Sequence, residues 1–138
     1  MLHSRAILLL RLSLGLVFSW FGVLKLFNVS PVLEIIKHAL PPMFGESQLF
    51  MFLLAFVEIL IGIAFLSNRV VKIAALVMIA HLLIATVAVL FTQGFDPRFP
   101  VLSLAGEFAL KNLVLIAAGC VLIAEKSEKK EDDMRYRF

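Results

Sequence analysis

Apolar residues run along the chain in four long blocks, broken by short polar joins. The blocks extend from about Ala6 to Phe27, Gln48 to Leu66, Val70 to Phe91 and Leu102 to Ala124. A helix needs roughly 20 residues to cross ~30 Å of hydrocarbon, and each block supplies that length. The pattern predicts four membrane-spanning helices. The first block is not a signal peptide. Its apolar region is too long, it carries Arg11 and Lys25, and no clear A-x-A site follows it.

The joins are equally legible. Between the first two spans lies NVSPVLEIIKHALPPMFGES. Ser30 and Pro31 suit a helix start, since proline's fixed φ and missing N–H fit the first turn. Val32, Ile35, Ile36, Ala39 and Leu40 then share one face, and Glu34, Lys37 and His38 the other. This spacing predicts a short amphipathic helix at the membrane interface, ended by Pro41-Pro42. Ser67-Asn68-Arg69 makes a tight join, and TQGFDPRFP a turn-rich loop. The tail EKSEKKEDDMRYRF is nearly all polar and is expected to be loose. The expected division is a transmembrane domain over 1–124 and a charged cytoplasmic tail over 125–138.

Composition narrows the class. Hydrophobic residues make up 62% of the 138 residues and charged ones only 17%, against about 45–50% and 25% in soluble chains. Mean hydropathy is +1.01. A soluble enzyme, a disordered chain and a disulfide-rich secreted domain are excluded. The net charge of +3 reflects basic loops and not a nucleic-acid surface. Arg5, Arg69, Lys72, Lys126, Lys129, Lys130, Arg135 and Arg137 fall on one side of the four spans, and only Lys37 and Arg98 on the other. The positive-inside rule therefore places both termini in the cytoplasm, with the chain in the cell (inner) membrane. Cys120 is the single cysteine, so no internal disulfide or CxxC centre exists, and it reads as a small core residue.

Ionisable groups within the spans carry the candidate chemistry. They are Arg11, Lys25, Glu58, His81, Glu107 and Lys111. On insertion scales each costs about 2.5–3.5 kcal/mol near the bilayer centre. Each span has one small-and-polar stripe at 100° per residue. The stripes are Arg11, Gly15, Ser19, Gly22 and Lys25; Ala55, Glu58 and Gly62; Ala74, His81, Ala85, Ala88 and Thr92; and Ser103, Glu107, Lys111 and Ala118. Facing stripes predict an all-α four-helix membrane bundle with a polar interior. Depth along the spans suggests two polar layers. Lys25 pairs with Glu107 toward the outside, while Glu58, Lys111 and His81 meet near the middle. Glu107 and Lys111 are also i, i+4 in the favourable order. Arg11 is expected to snorkel at the cytoplasmic end. Trp20 is expected inside the first span, packed between helices or lining a ligand space. The phenylalanines read as lipid-facing packing.

Glu58, His81, Lys111, Glu107 and Lys25 are thus candidates for holding a ligand or relaying protons. The bland alternative is that these charges only fix helix register. No metal site is expected: His81 is the only histidine within a span, and no HExxH, P-loop or GxSxG occurs.

RLSLGLVFSWFGVLKLF, with Arg11, Gly15, Gly22 and Lys25, resembles the first helix of the DoxX family. VEILIG, with Glu58 and Gly62, resembles its second helix, and the basic turn and alanine-rich segment from Asn68-Arg69 to Ala75 continue the likeness. It covers about residues 5–124. The fourth helix, GEFALKNLVLIAAG, is similar to the neighbouring YkgB-like reactive-chlorine-resistance proteins. The resemblance implies a four-helix bundle associated with thiosulfate:quinone oxidoreductase or with oxidative-stress complexes. The expected role is therefore a membrane subunit of a quinone-linked redox or oxidative-stress complex, an accessory subunit of an oxidoreductase more than an enzyme alone. It would bind quinone without an intrinsic cofactor, and its partners would be lipid and further protein subunits or copies of itself. A ligand-free scaffold and a small proton-coupled transporter using Glu58 are the alternatives.

Overall fold

The computed structural model describes residues 2–30, 32–93 and 103–135. Among these, all regular structure is helical. The elements are α1 (Leu2–Leu26), α2 (Val32–Ala39), α3 (Pro42–Gly45), α4 (Gln48–Ser67), α5 (Val71–Gln93), α6 (Leu104–Leu110) and α7 (Asn112–Arg135). Four stretches are long and apolar enough to cross a membrane: His3–Leu26, Gln48–Ser67, Val71–Thr92 and Leu104–Glu128. The last comprises α6 and α7, separated at Lys111. The expected four-helix membrane bundle is the fold found.

Local chemistry fixes the ends. Ser47 caps α4, its side chain accepting from Phe50 N–H at 3.3 Å, and Ser103 caps α6 by accepting from Gly106 N–H at 3.0 Å. Asn68 closes α4 in the left-handed region (φ 60°), which asparagine tolerates better than most residues. Pro42 opens α3 immediately after α2 ends, as the Pro-Pro pair predicts. Ser30 is buried and its carbonyl accepts from Leu33 N–H at 3.2 Å. Pro31, Arg98 and most of the join after Thr92 lie outside the described residues.

The two halves of the bundle do different work. Toward the end that holds the Ser67–Val70 turn, the helices share a solid core. Leu14 and Phe18 of α1 meet Ile61 and Phe65 of α4, Val71 through Leu82 of α5, and Leu122 of α7. Toward the other end the interior is hollow. α1 packs along α4, and α7 along α5. The first of these contacts is close because glycines make it. A Cβ on Gly62 would sit 2.6 Å from Ser19 N and 2.7 Å from Gly15 O, and one on Gly22 would sit 2.7 Å from Ala55 O. Such small-residue contacts let transmembrane backbones approach.

Several sequence expectations are corrected. The tail is not loose from its first residue. α7 continues as helix to Arg135, Glu125 is buried, and Lys126 and Ser127 bond to Asn68 Oδ1 (3.0 Å) and Lys72 Nζ (3.2 Å). The polar composition hid this, because the join between α4 and α5 offers partners that only the fold brings near. Arg11 is half-buried, and its Nη1 is out of solvent without a hydrogen-bond partner. Trp20 is 58% exposed and faces outward, since the close α1–α4 contact takes the glycine side of its helix. Cys120 is exposed as well; Gly119 beside it takes the contact with Met78 and Ile79.

The stripe expected on the fourth span is out of phase with the contact face. Ala105, Ala109, Gly119, Leu122 and Glu125 are buried, while Glu107 and Lys111 are exposed. The break at Lys111 interrupts the 100° periodicity, so one phase cannot be carried from Ser103 to Ala118.

Asn112 follows that break and donates through Nδ2 to Thr86 Oγ1 at 3.1 Å. Interhelical bonds of this kind are worth about 0.6 and at most ~1.7 kcal/mol in membranes. Asn112→Leu is expected to lower stability within that range, measured by reversible unfolding in mixed micelles.

Candidate functional site

Glu58 stands at the middle of α4 and is buried, as is Lys25 near the end of α1. Lys25 Nζ donates to both carboxylate oxygens of Glu58. His81, at mid-depth on α5, places Nε2 3.1 Å from Glu58 Oε1. In the tautomer that donates Nε2–H to the carboxylate, Nδ1 is left as an acceptor. Three spans thus converge on one carboxylate.

This corrects the expected pairing of Lys25 with Glu107. Depth was counted along the helix axis from Cα positions, which ignores the lean of side chains. Cβ bonds tilt toward a helix's own N-terminus. In the antiparallel α1–α4 pair, Lys25 therefore leans toward the middle of the bundle and Glu58 toward the N-terminal end of α4. The two lean toward each other across the glycine contact. Glu107 is exposed on α6 and joins no ion pair among the described residues.

Nor does Lys111 join Glu58 and His81, or pair with Glu107 across its i, i+4 spacing. Its Nζ lies 3.2 Å from the centroid of the Phe108 ring and 6.0 Å from that of Phe21. The electron-rich ring faces attract the ammonium. Lys111 nonetheless belongs to the same site, because it lines the same cavity as Lys25, Glu58 and His81.

That cavity has a volume of about 180 Å³ and lies in the half of the bundle that holds α2. Val17, Phe18 and Phe21 form one wall, Leu82, Ala85 and Ala88 another, and Ala105, Phe108 and Ala109 a third. Its roof is α2. Val32, Ile35, Ile36, Ala39 and Leu40 all face into it, so the apolar face read as lying on the membrane instead closes the bundle. The apolar face of α2 was legible from its spacing, but amphipathicity does not say what that face covers. Phe18, Phe21, Phe50 and Phe108 line the space too, where the sequence reading had left phenylalanine to the lipid. Ser30 and Lys25 also line a second, more polar crevice with Asn28, Glu34, Lys37 and Glu46. These two residues therefore stand between the cavity and that crevice.

The polar face of α2 is held by local bonds. Lys37 donates to Glu34 at 2.8 Å, and His38 Nδ1 lies 2.7 Å from Glu34 O. The Lys37 hydrogen bond and charge keep the exposed Glu34 carboxyl below its ordinary value. A depressed carboxyl supports the fold above its unfolded value and loses that support as pH falls through the folded one. Amide exchange in α2 should therefore be level around neutrality and rise only in the acid carboxylate range. The change should be small, because an exposed pair is screened by solvent.

Among the described residues no cluster of histidine, cysteine, aspartate and glutamate is fit for a metal ion. The site is an acid, two bases and an ammonium on the walls of an apolar space. It can hold a ring or chain by its walls, and exchange a proton or a hydrogen bond at His81 and Lys111.

No curated protein and no solved structure matches the chain. The DoxX family model matches residues 6–91. That match takes in α1 through most of α5, and with them Lys25, Glu58, His81 and the α2 roof, but it stops before α6 and Lys111. Spanning well over half of the sequence, it establishes that the chain belongs to the DoxX family.

Proposed function

We propose that the chain is a small membrane subunit of a quinone-linked redox or oxidative-stress complex, and that its cavity holds the quinone headgroup. One observation carries this reading: a desolvated Lys25–Glu58–His81 cluster forms part of the wall of an apolar cavity inside the membrane. Pairing for helix register alone does not require a cavity beside the pair. The space of about 180 Å³ is below the ~300–1,000 Å³ of sites for drug-sized ligands, and suits a single substituted ring whose tail lies in lipid. Quinone, when bound, supplies the two-electron chemistry. The chain's residues would orient the ring between Phe21 and Phe108, exclude water under α2, and pass a proton at His81. A single cysteine offers no dithiol centre, so the electrons come from a partner subunit. Lysine and arginine placement favours α2 toward the outer face and both termini in the cytoplasm.

Purification from native membranes in mild detergent, with mass spectrometry of co-purifying proteins and lipids, tests this reading. Stoichiometric redox subunits together with quinone are expected. A clean protein carrying only phospholipid would count against it.

A ligand-free scaffold is the second reading. It is favoured by the place of the Lys25–Glu58 pair, which ties α1 to α4 beside their closest contact.

A further inference from the structure

Charge is unevenly balanced in the cavity. Lys25 and Glu58 cancel, and His81 is satisfied on the same carboxylate. Lys111 has no such partner: among the described residues no carboxylate lies within ion-pair distance of it. It is exposed and caps the end of α6 about a third of the way along the fourth span. A cation within a span costs up to about 2.5–3.5 kcal/mol at the helix centre on insertion scales, and aromatic faces offset only part of what it costs here.

The position of Lys111 is also distinctive. α1 packs on α4 and α6 packs on α5, but α1 and α6 do not pack along each other. The gap between them is bounded by residues that line the cavity. Phe21 stands on its α1 edge, Phe108 and Lys111 on its α6 edge, and the ammonium lies between the two rings.

We propose that this gap is a lateral portal from the bilayer, and that Lys111 recognises ligands with an anionic oxygen headgroup. The ligand class is a membrane-dissolved amphiphile whose ring or chain fills the apolar cavity and whose ionised oxygen meets the ammonium. This deepens the quinone reading and rests on it for the type of ring, but it adds a charge requirement that a neutral quinone does not have.

The test compares two probes that differ in one charge. A 2-hydroxy-3-alkyl-1,4-naphthoquinone is ionised at neutral pH, and its O-methyl ether is neutral. Both are titrated into the full-length protein in lipid nanodiscs, with binding read by equilibrium dialysis. The wild type is expected to bind the ionised probe at least about tenfold tighter than the ether, a conservative value for one ion contact outside bulk water. Lys111→Gln should erase that preference, bringing the ionised probe down to the level of the ether in the same variant, and Lys111→Arg should keep it. Glu107→Gln should change neither. Equal binding of both probes to the wild type overturns the proposal alone, as does a preference that survives in Lys111→Gln. A preference that appears only in Glu107→Gln also overturns it, because Glu107 would then be the counter-charge. If neither probe binds, the quinone reading fails as well.

Discussion

Glu58→Gln should leave the bundle assembled and strip it of quinone. Glutamine keeps the shape and one acceptor for Lys25 but removes the charge that orders Lys25 and His81. The expected result is normal yield and monodispersity with most bound quinone lost. Truncation is harsher. Removing one member of a buried ion pair typically costs about 3–5 kcal/mol, because the other charge is left unpaired. Glu58→Ala is therefore expected to lose stability on that scale. Removing both charges separates the two readings of the site. Replacing a buried pair by apolar residues of similar volume is often neutral or stabilising. The double variant Lys25→Met with Glu58→Leu should fold about as well as the wild type and still retain no quinone. A scaffold without a ligand predicts the opposite: whatever the single changes lose, the double variant restores.

The second large effect is expected at the α1–α4 contact. Gly62→Ala places a methyl group against Ser19 N and Gly15 O, and Gly22→Ala places one against Ala55 O. Backbone atoms cannot yield as side chains do, so the helices must separate. Overpacking of this kind costs about 1–3 kcal/mol. Here it also pulls Lys25 away from Glu58, so each variant should lose stability and quinone together. Gly119→Ala is the control. Its new methyl would meet Met78 Cε at 2.7 Å and Ile79 side-chain atoms, the ends of flexible chains that can shift. Reversible unfolding of the three variants in mixed micelles should rank Gly62→Ala and Gly22→Ala well below Gly119→Ala.

The residues explain how far the sequence could be read. The four spans, the turn at Ser67-Asn68-Arg69 and the amphipathic helix before Pro41 were legible because bilayer thickness, caps and proline act locally. The stripes on α1 and α4 were legible too, because Gly15, Gly22, Glu58 and Gly62 lie on unbroken helices. What failed depended on relations between elements. Lys25 meets Glu58 and not Glu107 because antiparallel side chains lean together, which axial depth does not register. The stripe through Glu107 and Lys111 was misphased because the fourth span breaks at Lys111. The roof formed by α2 and the phenylalanine walls were invisible because a face can be seen in sequence but not its partner. Of the candidate residues, Lys25, Glu58, His81 and Lys111 line one cavity, and Glu107 does not.

The most direct test is photo-crosslinking with an azido-quinone in lipid nanodiscs, followed by peptide mapping. Occupancy of the cavity predicts labels on 17–25 of α1, 81–89 of α5 and 105–112 of α6 and its end. Excess unlabelled quinone should suppress these labels, and they should be weak in Glu58→Gln. Labels spread over the outward-facing positions Leu9, Leu53, Ile73 and Val114, insensitive to competitor and to the Glu58 change, would show quinone dissolved around the bundle and not held within it.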